Sequence, residues 1–365
     1  MAIDLTLLPD GGISWADASG PDGHIVLSTR VRLARNLQGT AFTIRARDED
    51  RERIFEAVAS AGRQTKALAD AVVFRLEGLD RIDRQLLYER HLISKELAGL
   101  EPGGQVQPGA ALVLGEQVGV MVNEEDHLRL QSLHSGFALS RAYGTLERLD
   151  AELGARLPFA FHPEFGYLTA CPTNAGTGLR ASVLIHLPGL VLTKEIAKVL
   201  QGLSQVGLTF RGLYGEGSEV VGNFFQLSNQ TTLGKSEEEL LDHLGKIVRQ
   251  VIEYEEQARK VLLRDAPSVI EDKVWRAYGL LRYARSLSFE ETMNLLSGVR
   301  LGVGLNLIKD VGVYTLNKLM VFAQPAHLAH VAGRTLADPD LAIARATFVR
   351  GMLEEEAGRS RPQTQ

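Results

Sequence analysis

The hydrophobic pattern of this 365-residue chain changes period once, and that change limits what the chain can fold into. From His24 to about Leu263, stretches with two-residue alternation are interleaved with stretches spaced three to four apart; beyond Ala266-Pro267 only the helical spacing remains. The first part therefore reads as α+β or mixed α/β, and the second as all-helical. Residues 1–23 are rich in Gly, Asp, Ser and Pro without periodicity and read as a flexible arm; a first domain spans 24–265, a helical domain 266–353, and residues 354–365 form a polar, frayed tail. His24–Arg32 is extended in character, which puts Arg30 and Arg32 on one face of a strand. Ala110–Val122 reads as a hairpin around Gly-Glu-Gln, and Val206–Arg211 with Val220–Leu227 as a second strand pair around the turn Gly212–Gly217. Helices are expected over Asp48–Leu68, Gly136–Leu153, Leu179–Leu187, Thr193–Gln205 and Ser236–Ala258, the last opened by the capping box Ser236–Glu239. Further helices are expected over Lys273–Tyr283, Ser288–Ser297 and Asp340–Glu355.

Composition excludes several classes. With 40 Lys and Arg against 45 Asp and Glu, the net charge of -5 leaves no basic coat for nucleic acid, and 45% hydrophobic content is that of a packed protein. The single cysteine, Cys171, cannot form an intramolecular disulfide. No apolar run reaches the ~20 residues that span a bilayer, and MAIDLTLLPDGG has neither a basic nor a long apolar region, so a soluble, cytoplasmic protein without membrane attachment is expected.

The chemistry-bearing residues fall into two sets. Arg30, Arg32 and Arg35 (in STRVRLAR), Arg129, Arg180 and Arg211 each stand beside a strand end or a glycine-rich segment. Guanidinium groups match phosphate oxygens two at a time, so several together could hold a triphosphate; each alone could equally be a surface ion-pair partner. The acids are Glu124, Glu125 and Asp126, and Glu216 between two glycines; such groups bind Mg²⁺ through water or accept a proton, although an acidic run is also common in solvated turns. Asn229–Ser236 approaches the phosphate-loop pattern but lacks its first glycine, so Gly234-Lys235-Ser236 reads as a turn and helix cap. His91 and His127 could contact a nucleotide or fill space, and Cys171 could be an inert packing residue or a thiolate near a cationic substrate.

Taken in order, STRVR, NEEDHLR, CPTNAGTGLR and RGLYGE resemble the motifs of the phosphagen (guanidino) kinase superfamily, and the helical extension is more similar to its bacterial protein-arginine kinase branch. The resemblance implies a catalytic domain with an antiparallel sheet flanked by helices, plus a C-terminal helical dimerisation and regulatory domain. It implies ATP and Mg²⁺, with nucleotide contacts at Ser28, Thr29, Arg30, Val31, Arg32, His91, Arg129, Arg180, Ala181, Ser182, Val183, Leu184, Arg211, Gly212, Leu213, Tyr214 and Gly215. Glu125 and Glu216 match the acids that grip the guanidinium, Glu125 as base; Glu124 matches a residue that places Mg²⁺ through water, and Cys171 the cysteine beside the reacting nitrogen. The implied activity is phosphorylation of protein arginines in bacterial stress response and quality control. Implied partners are arginine-bearing client proteins including a transcriptional repressor, a zinc-binding activator protein, a Clp-type chaperone and a second copy of the chain, without direct nucleic-acid binding. The alternatives are a kinase of free arginine or another small guanidino compound, and a non-catalytic adaptor for phosphoarginine clients. Two positions depart from the pattern. Gln226 stands where the metabolite kinases carry an aspartate. Leu341–Ala346 keeps only Arg345-Ala346 of the branch's phosphoarginine-binding motif, with Asp338 and Asp340 nearby, so that regulatory site is expected to be weakened or lost.

Overall fold

The computed structural model describes residues 3–8, 12–213 and 220–360. The first domain is built on eight strands: β1 (Val26–Arg35), β2 (Val72–Arg75), β3 (Ala111–Leu114), β4 (Val118–Val122), β5 (Leu128–Ser135), β8 (Leu179–His186), β9 (Leu208–Arg211) and β10 (Phe224–Asn229). They form one sheet in the order β2-β3-β4-β5-β1-β8-β10-β9, every neighbouring pair antiparallel. A separate hairpin pairs β6 (Phe161–His162) with β7 (Gly166–Tyr167). Helices α1 (Asp48–Gly62), α2 (Arg81–Glu89), α3 (Leu139–Gly154), α4 (Pro188–Leu192), α5 (Ile196–Gln205) and α6 (Glu237–Asp265) flank the sheet. The helical region comprises α7 (Pro267–Tyr283), α8 (Phe289–Gly304), α9 (Val313–Phe322), α10 (Pro325–Ala332) and α11 (Asp338–Ser360). Among the described residues no helix is long and apolar enough to cross a membrane.

Strand parity assigns the two faces of the sheet. Val31 and Leu33 of β1, with Leu130, Ala181 and Val183, bury against Leu146 and Leu149 of α3 and Leu244 and Val248 of α6. Ser28, Arg30 and Arg32, at the alternate positions, face the other way. A second core joins Leu27, Leu184 and Phe224 of the sheet to Ile270, Val274, Leu296 and Leu316 of the helical region. The capping box at α6 forms as its sequence dictates, Ser236 accepting from the Glu239 amide and Glu239 from that of Ser236.

Three expectations are corrected. Leu179–Leu187 is not a helix; it is β8, hydrogen-bonded on both sides by β1 and β10. A strand buried on both faces reads as a continuous apolar run, which in isolation has no period to distinguish it from a buried helix. The segment before β1 is not loose where it is described. Ile13, Trp15 and Ala16 belong to the second core, Ile3 and Leu8 to a third one with Leu76, Leu87 and Leu112, and the Ala16 carbonyl accepts from Asn317 Nδ2 at 2.7 Å. Finally, helix α11 continues through residues 354–360, where a frayed tail was expected.

One buried polar junction ties α2 to α10. Glu89, 2% exposed, accepts from the Ala326 amide at 3.0 Å and from His327 Nδ1 at 2.9 Å; His327 Nε2 in turn accepts from Arg90 Nε at 3.0 Å. Burial holds the His327 imidazole below its usual pKa, so it stays neutral and can accept from Arg90 while donating to Glu89.

Candidate active site

The register of the sheet assembles the arginines. Arg32 of β1 lies opposite Arg180 of β8, Arg30 opposite Ser182, and Arg211 of β9 opposite Gln226 of β10, while Arg129 comes from the adjoining strand β5. Cationic side chains directly opposite each other weaken a sheet. Here five of them, Arg30, Arg32, Arg129, Arg180 and Arg211, line one cleft of about 500 Å³. Burial, and then the charges of Arg129 and Arg180, push Arg30 down to about 10; burial together with Arg30, Arg129 and Arg180 depresses Arg32 as well. Arg32 Nε is buried with no hydrogen-bond partner among the described residues. A buried donor left in this way fits an anionic ligand that supplies the missing acceptor.

Glu124 and Glu125 stand across the cleft on the turn between β4 and β5. That turn is set by Asn123, at φ +57°, whose Nδ2 donates to the carbonyls of Arg51 and Gly109 at 2.9 Å each. Arg129 bridges the acids, Nη1 to Glu124 and Nη2 to Glu125 at 3.1 Å. Burial raises the Glu125 carboxyl above the ordinary range; Arg129 opposes this, and Asp126, Glu124 and Glu96 add to it. Asp126, expected beside them, is buried and points away: it accepts from Asn36 Nδ2 at 2.6 Å and from the Ala170 amide at 2.7 Å. It thereby ties the acidic turn to the segment that leads to Cys171.

Cys171 precedes a short 3-10 turn, Pro172–Asn174, with its sulfur 3.0 Å from Thr173 Oγ1. It does not line the cleft; Asn174 and Gly178 of the same loop do. Gly178 is at φ +66°, where a Cβ would lie 2.7 Å from the Ala34 carbonyl, so only glycine lets this loop close onto β1. His91, also at positive φ (+60°), sits edge-on to Trp15 at 5.0 Å, and burial plus Arg30 bring it down to about 3, so it lines the cleft as a neutral ring. Ser28, Ser182, Leu184 and Leu213 line a small recess beside Arg30 and His91. Gln226 accepts from Arg30 Nη2 at 3.1 Å, so an uncharged amide stands beside this arginine.

Several expected side chains face elsewhere. Thr29 hydrogen-bonds the Gly136 carbonyl and the Ala138 amide, and Val31, Ala181 and Val183 are core residues on the opposite side of the sheet. Arg35 shares their parity: it pairs with Asp150 through two bonds and is no part of the cleft. His127 is held between the Leu37 amide and the Ala41 carbonyl. Asn229 bonds the Leu179 carbonyl and the Ala181 amide, as a strand end rather than a phosphate loop. Gly212 directly follows β9, whereas Tyr214, Gly215 and Glu216 lie outside the described residues. The opposite wall, which includes Tyr88, Lys95, Glu96 and Glu101, was not anticipated; Tyr88 comes from α2, an amphipathic helix that was likewise not expected, and the other three from the irregular segment after it, whose signal is its charge.

Comparison with known proteins supplies the family. Residues 52–258 match the model of the ATP:guanido phosphotransferase C-terminal catalytic domain. A protein-arginine kinase of Symbiobacterium thermophilum is 46% identical over 342 residues, covering 93% of this chain and 96% of that protein. The chain belongs to the protein-arginine kinase family. A further protein-arginine kinase, from Bacillus cereus, is 42% identical over 94% of this chain and 96% of its own length. Residues 267–364 match the protein-arginine kinase McsB C-terminal domain, so family membership extends through the helical region. Among solved structures, the duplicated taurocyamine kinase of Schistosoma mansoni is similar at 27% identity and TM-score 0.55, over 70% of this chain and 35% of that one. Lombricine kinase shares the fold at 22% identity and TM-score 0.56, over 70% of this chain and 71% of that one. Arg345 is 3% exposed and donates to the Ala323 and Leu287 carbonyls at 2.8 and 2.9 Å, so it works as an internal brace of the helical region.

Proposed function

We propose that this protein-arginine kinase transfers the γ-phosphoryl group of ATP to arginine side chains of proteins, in the cleft formed by β1, β5, β8 and β9. The observation that carries the proposal is the convergence of Arg30, Arg32, Arg129, Arg180 and Arg211 opposite Glu124 and Glu125. The arginines hold the phosphates and balance the charge that spreads over the transferring group. A protonated guanidinium, with a pKa above ~12, is a poor nucleophile. Glu125, together with Glu216 as the family motif implies, fixes the planar group in line. As the N–P bond forms and the bond from phosphorus to the ADP oxygen breaks, Glu125 takes the proton from nitrogen; its raised pKa makes it a better base than an ordinary carboxylate. The family motif also implies a place for Cys171 near the reacting nitrogen; here its loop meets the cleft through Asn174 and Gly178.

Among the described residues no cluster of three or more His, Cys, Asp or Glu is placed to hold a metal. The two carboxylates at the cleft, Glu124 and Glu125, fit Mg²⁺, which keeps most of its waters and binds through substrate phosphates and one or two carboxylates. Glu124 would hold it through water, and the ion would supply positive charge to the phosphates of the nucleotide.

We extend the proposal to a cytoplasmic, homodimeric enzyme that marks client proteins, a transcriptional repressor among them, for a Clp-type chaperone under stress, with a zinc-binding activator protein. Exposed apolar side chains on one face of α7, Val269, Leu280 and Tyr283, support pairing through the helical region. The deciding experiment incubates the purified chain with Mg-ATP and either free L-arginine or an unfolded arginine-containing protein. Acid-labile, base-stable phosphate on the protein alone is expected; phosphate on free arginine alone refutes the assignment.

A further inference from the structure

Behind the sheet, on the side of β1 away from the nucleotide cleft, a second groove of about 760 Å³ runs between α3, the β6–β7 hairpin and the start of α6. Its floor already shows how a guanidinium binds there. Arg35, 1% exposed, donates from Nε and Nη2 to the two oxygens of Asp150 at 2.9 and 2.7 Å, and its Cζ lies 3.5 Å from the centre of the Tyr167 ring. Arg35 and Asp150 satisfy each other, which leaves the acids of the upper walls without a cation, while Phe161 packs edge-on against Tyr167 at 5.3 Å. Those walls are the rings of Tyr143 and Phe161 and the carboxylates of Glu147, Glu237 and Glu238, none of which forms an ion pair among the described residues. Phe161 is 57% exposed. The acids converge on Tyr143: burial, and then Glu237, Glu147, Glu238 and Asp150, raise its phenol.

The geometry points to this groove as a docking site for a second arginine side chain of an extended client segment, held between Tyr143 and Phe161 and paired with Glu147 and Glu238. The chemistry favours arginine over lysine, because a planar guanidinium lies flat on an aromatic face and forks to both oxygens of a carboxylate, whereas an ammonium meets either only as a point charge. The groove also adjoins the machinery of transfer. Tyr167 and Gly176 exchange backbone hydrogen bonds at 2.8 and 3.2 Å, which fastens the hairpin to the loop that carries Cys171, Asn174 and Gly178. A client with several arginines is thus retained beside the cleft while one of them reacts, and its effective concentration rises without any new contact in the cleft. The kinetic arm of the test rests on the proposed activity; the binding arm does not.

The test compares the full chain with Glu147→Gln/Glu238→Gln, with Phe161→Ala, and with a distant control, Glu290→Gln/Glu291→Gln, at exposed positions of α8. A labelled unstructured peptide with several arginines and its all-lysine counterpart are titrated by fluorescence anisotropy. KM is measured for an unfolded arginine-rich protein and for ATP. Loss of two exposed guanidinium contacts is expected to weaken the arginine peptide by about twofold to tenfold. KM for the protein substrate should rise in proportion, with kcat and KM for ATP unchanged, and Phe161→Ala should move the same way. The lysine peptide should bind the parent more weakly and respond less to the variants than the arginine peptide. Unchanged binding in the groove variants, or an equal loss in the α8 control, overturns the proposal. A parent that shows no turnover but binds the arginine peptide through these residues refutes the kinase assignment and leaves the docking site standing.

Discussion

Replacing Glu89 by alanine tests whether the α2–α10 junction holds the two domains together. The side chain is 2% exposed and serves the Ala326 amide, His327 Nδ1 and, at 2.9 Å, Gln85 Nε2. Its removal strands a helix N-terminal amide and the imidazole proton, and takes away a carboxylate whose charge favours the Arg90 guanidinium. Leaving a buried donor unsatisfied costs about 1–3 kcal/mol, so stranding the amide and the imidazole proton together should cost about 2 kcal/mol or more. Glu89→Gln keeps one acceptor oxygen and should cost about 1–2 kcal/mol. Urea unfolding followed by tryptophan fluorescence suits the molecule, because Trp15 sits at the domain junction and Trp275 on α7, and single-tryptophan variants report each in turn. Hydrogen exchange over α10 should accelerate more than exchange over the central strands of the sheet. A loss below about 1 kcal/mol for the alanine variant, with α10 exchange unchanged, would refute the reasoning, since two buried donors cannot lose their shared acceptor that cheaply.

Four further outcomes are expected. Arg30→Ala or Arg32→Ala should raise KM for ATP by about tenfold or more while the circular dichroism spectrum stays unchanged, the loss of one charge-assisted phosphate contact being worth about 1.5–3 kcal/mol. The acid limb of kcat/KM should lie above the pH of an ordinary glutamate, because Glu125 is raised and must be ionised to act, and Glu96→Gln should shift it downward by removing one of the charges that raise it. Arg345→Ala should destabilise the helical region without altering any response to added phosphoarginine, read by thermal unfolding and by activity, because Arg345 braces two carbonyls. His186, stacked on Phe224 at 4.7 Å, is held well below 6.5 by burial. A base whose folded pKa is depressed keeps its stabilising share at neutral pH and loses it as pH falls below the unfolded value. The pH slope of stability below about 6.5 should therefore exceed that of His186→Asn by about 1.4 kcal/mol per unit, in urea unfolding across pH 7 to 5.

What could be read from the sequence was local. The alternation around Arg30 and Arg32 correctly put both on one strand face, and the same parity excludes Arg35, which its place in the same motif had obscured. Hairpin β3–β4 and the α6 cap carry their own turn chemistry and needed nothing from elsewhere, and β9 pairs with β10 as the spacing suggested. Strand β8 was missed because its identity depends on β1 and β10, which flank it only once the sheet has formed. The burial of Trp15 and the pairing of Glu89 with His327 depend on contacts across 75 and 238 positions, and no window of sequence holds both partners. In the cleft the cationic wall was legible because arginines recur beside glycine-rich turns; the wall with Tyr88, Glu96 and Glu101 had no such marker.

The crowding of five guanidinium groups on neighbouring strands has a consequence for the idle molecule. Their mutual repulsion is strain that the rest of the fold must tolerate, and a polyphosphate discharges it on arrival. Nucleotide is therefore a structural ballast as well as a reactant: at a hundredfold excess over its dissociation constant it adds about 2.7 kcal/mol to stability through mass action. A cell whose ATP runs down would then lose resilience in this enzyme along with its substrate, and inorganic polyphosphate or pyrophosphate could restore the first without the second.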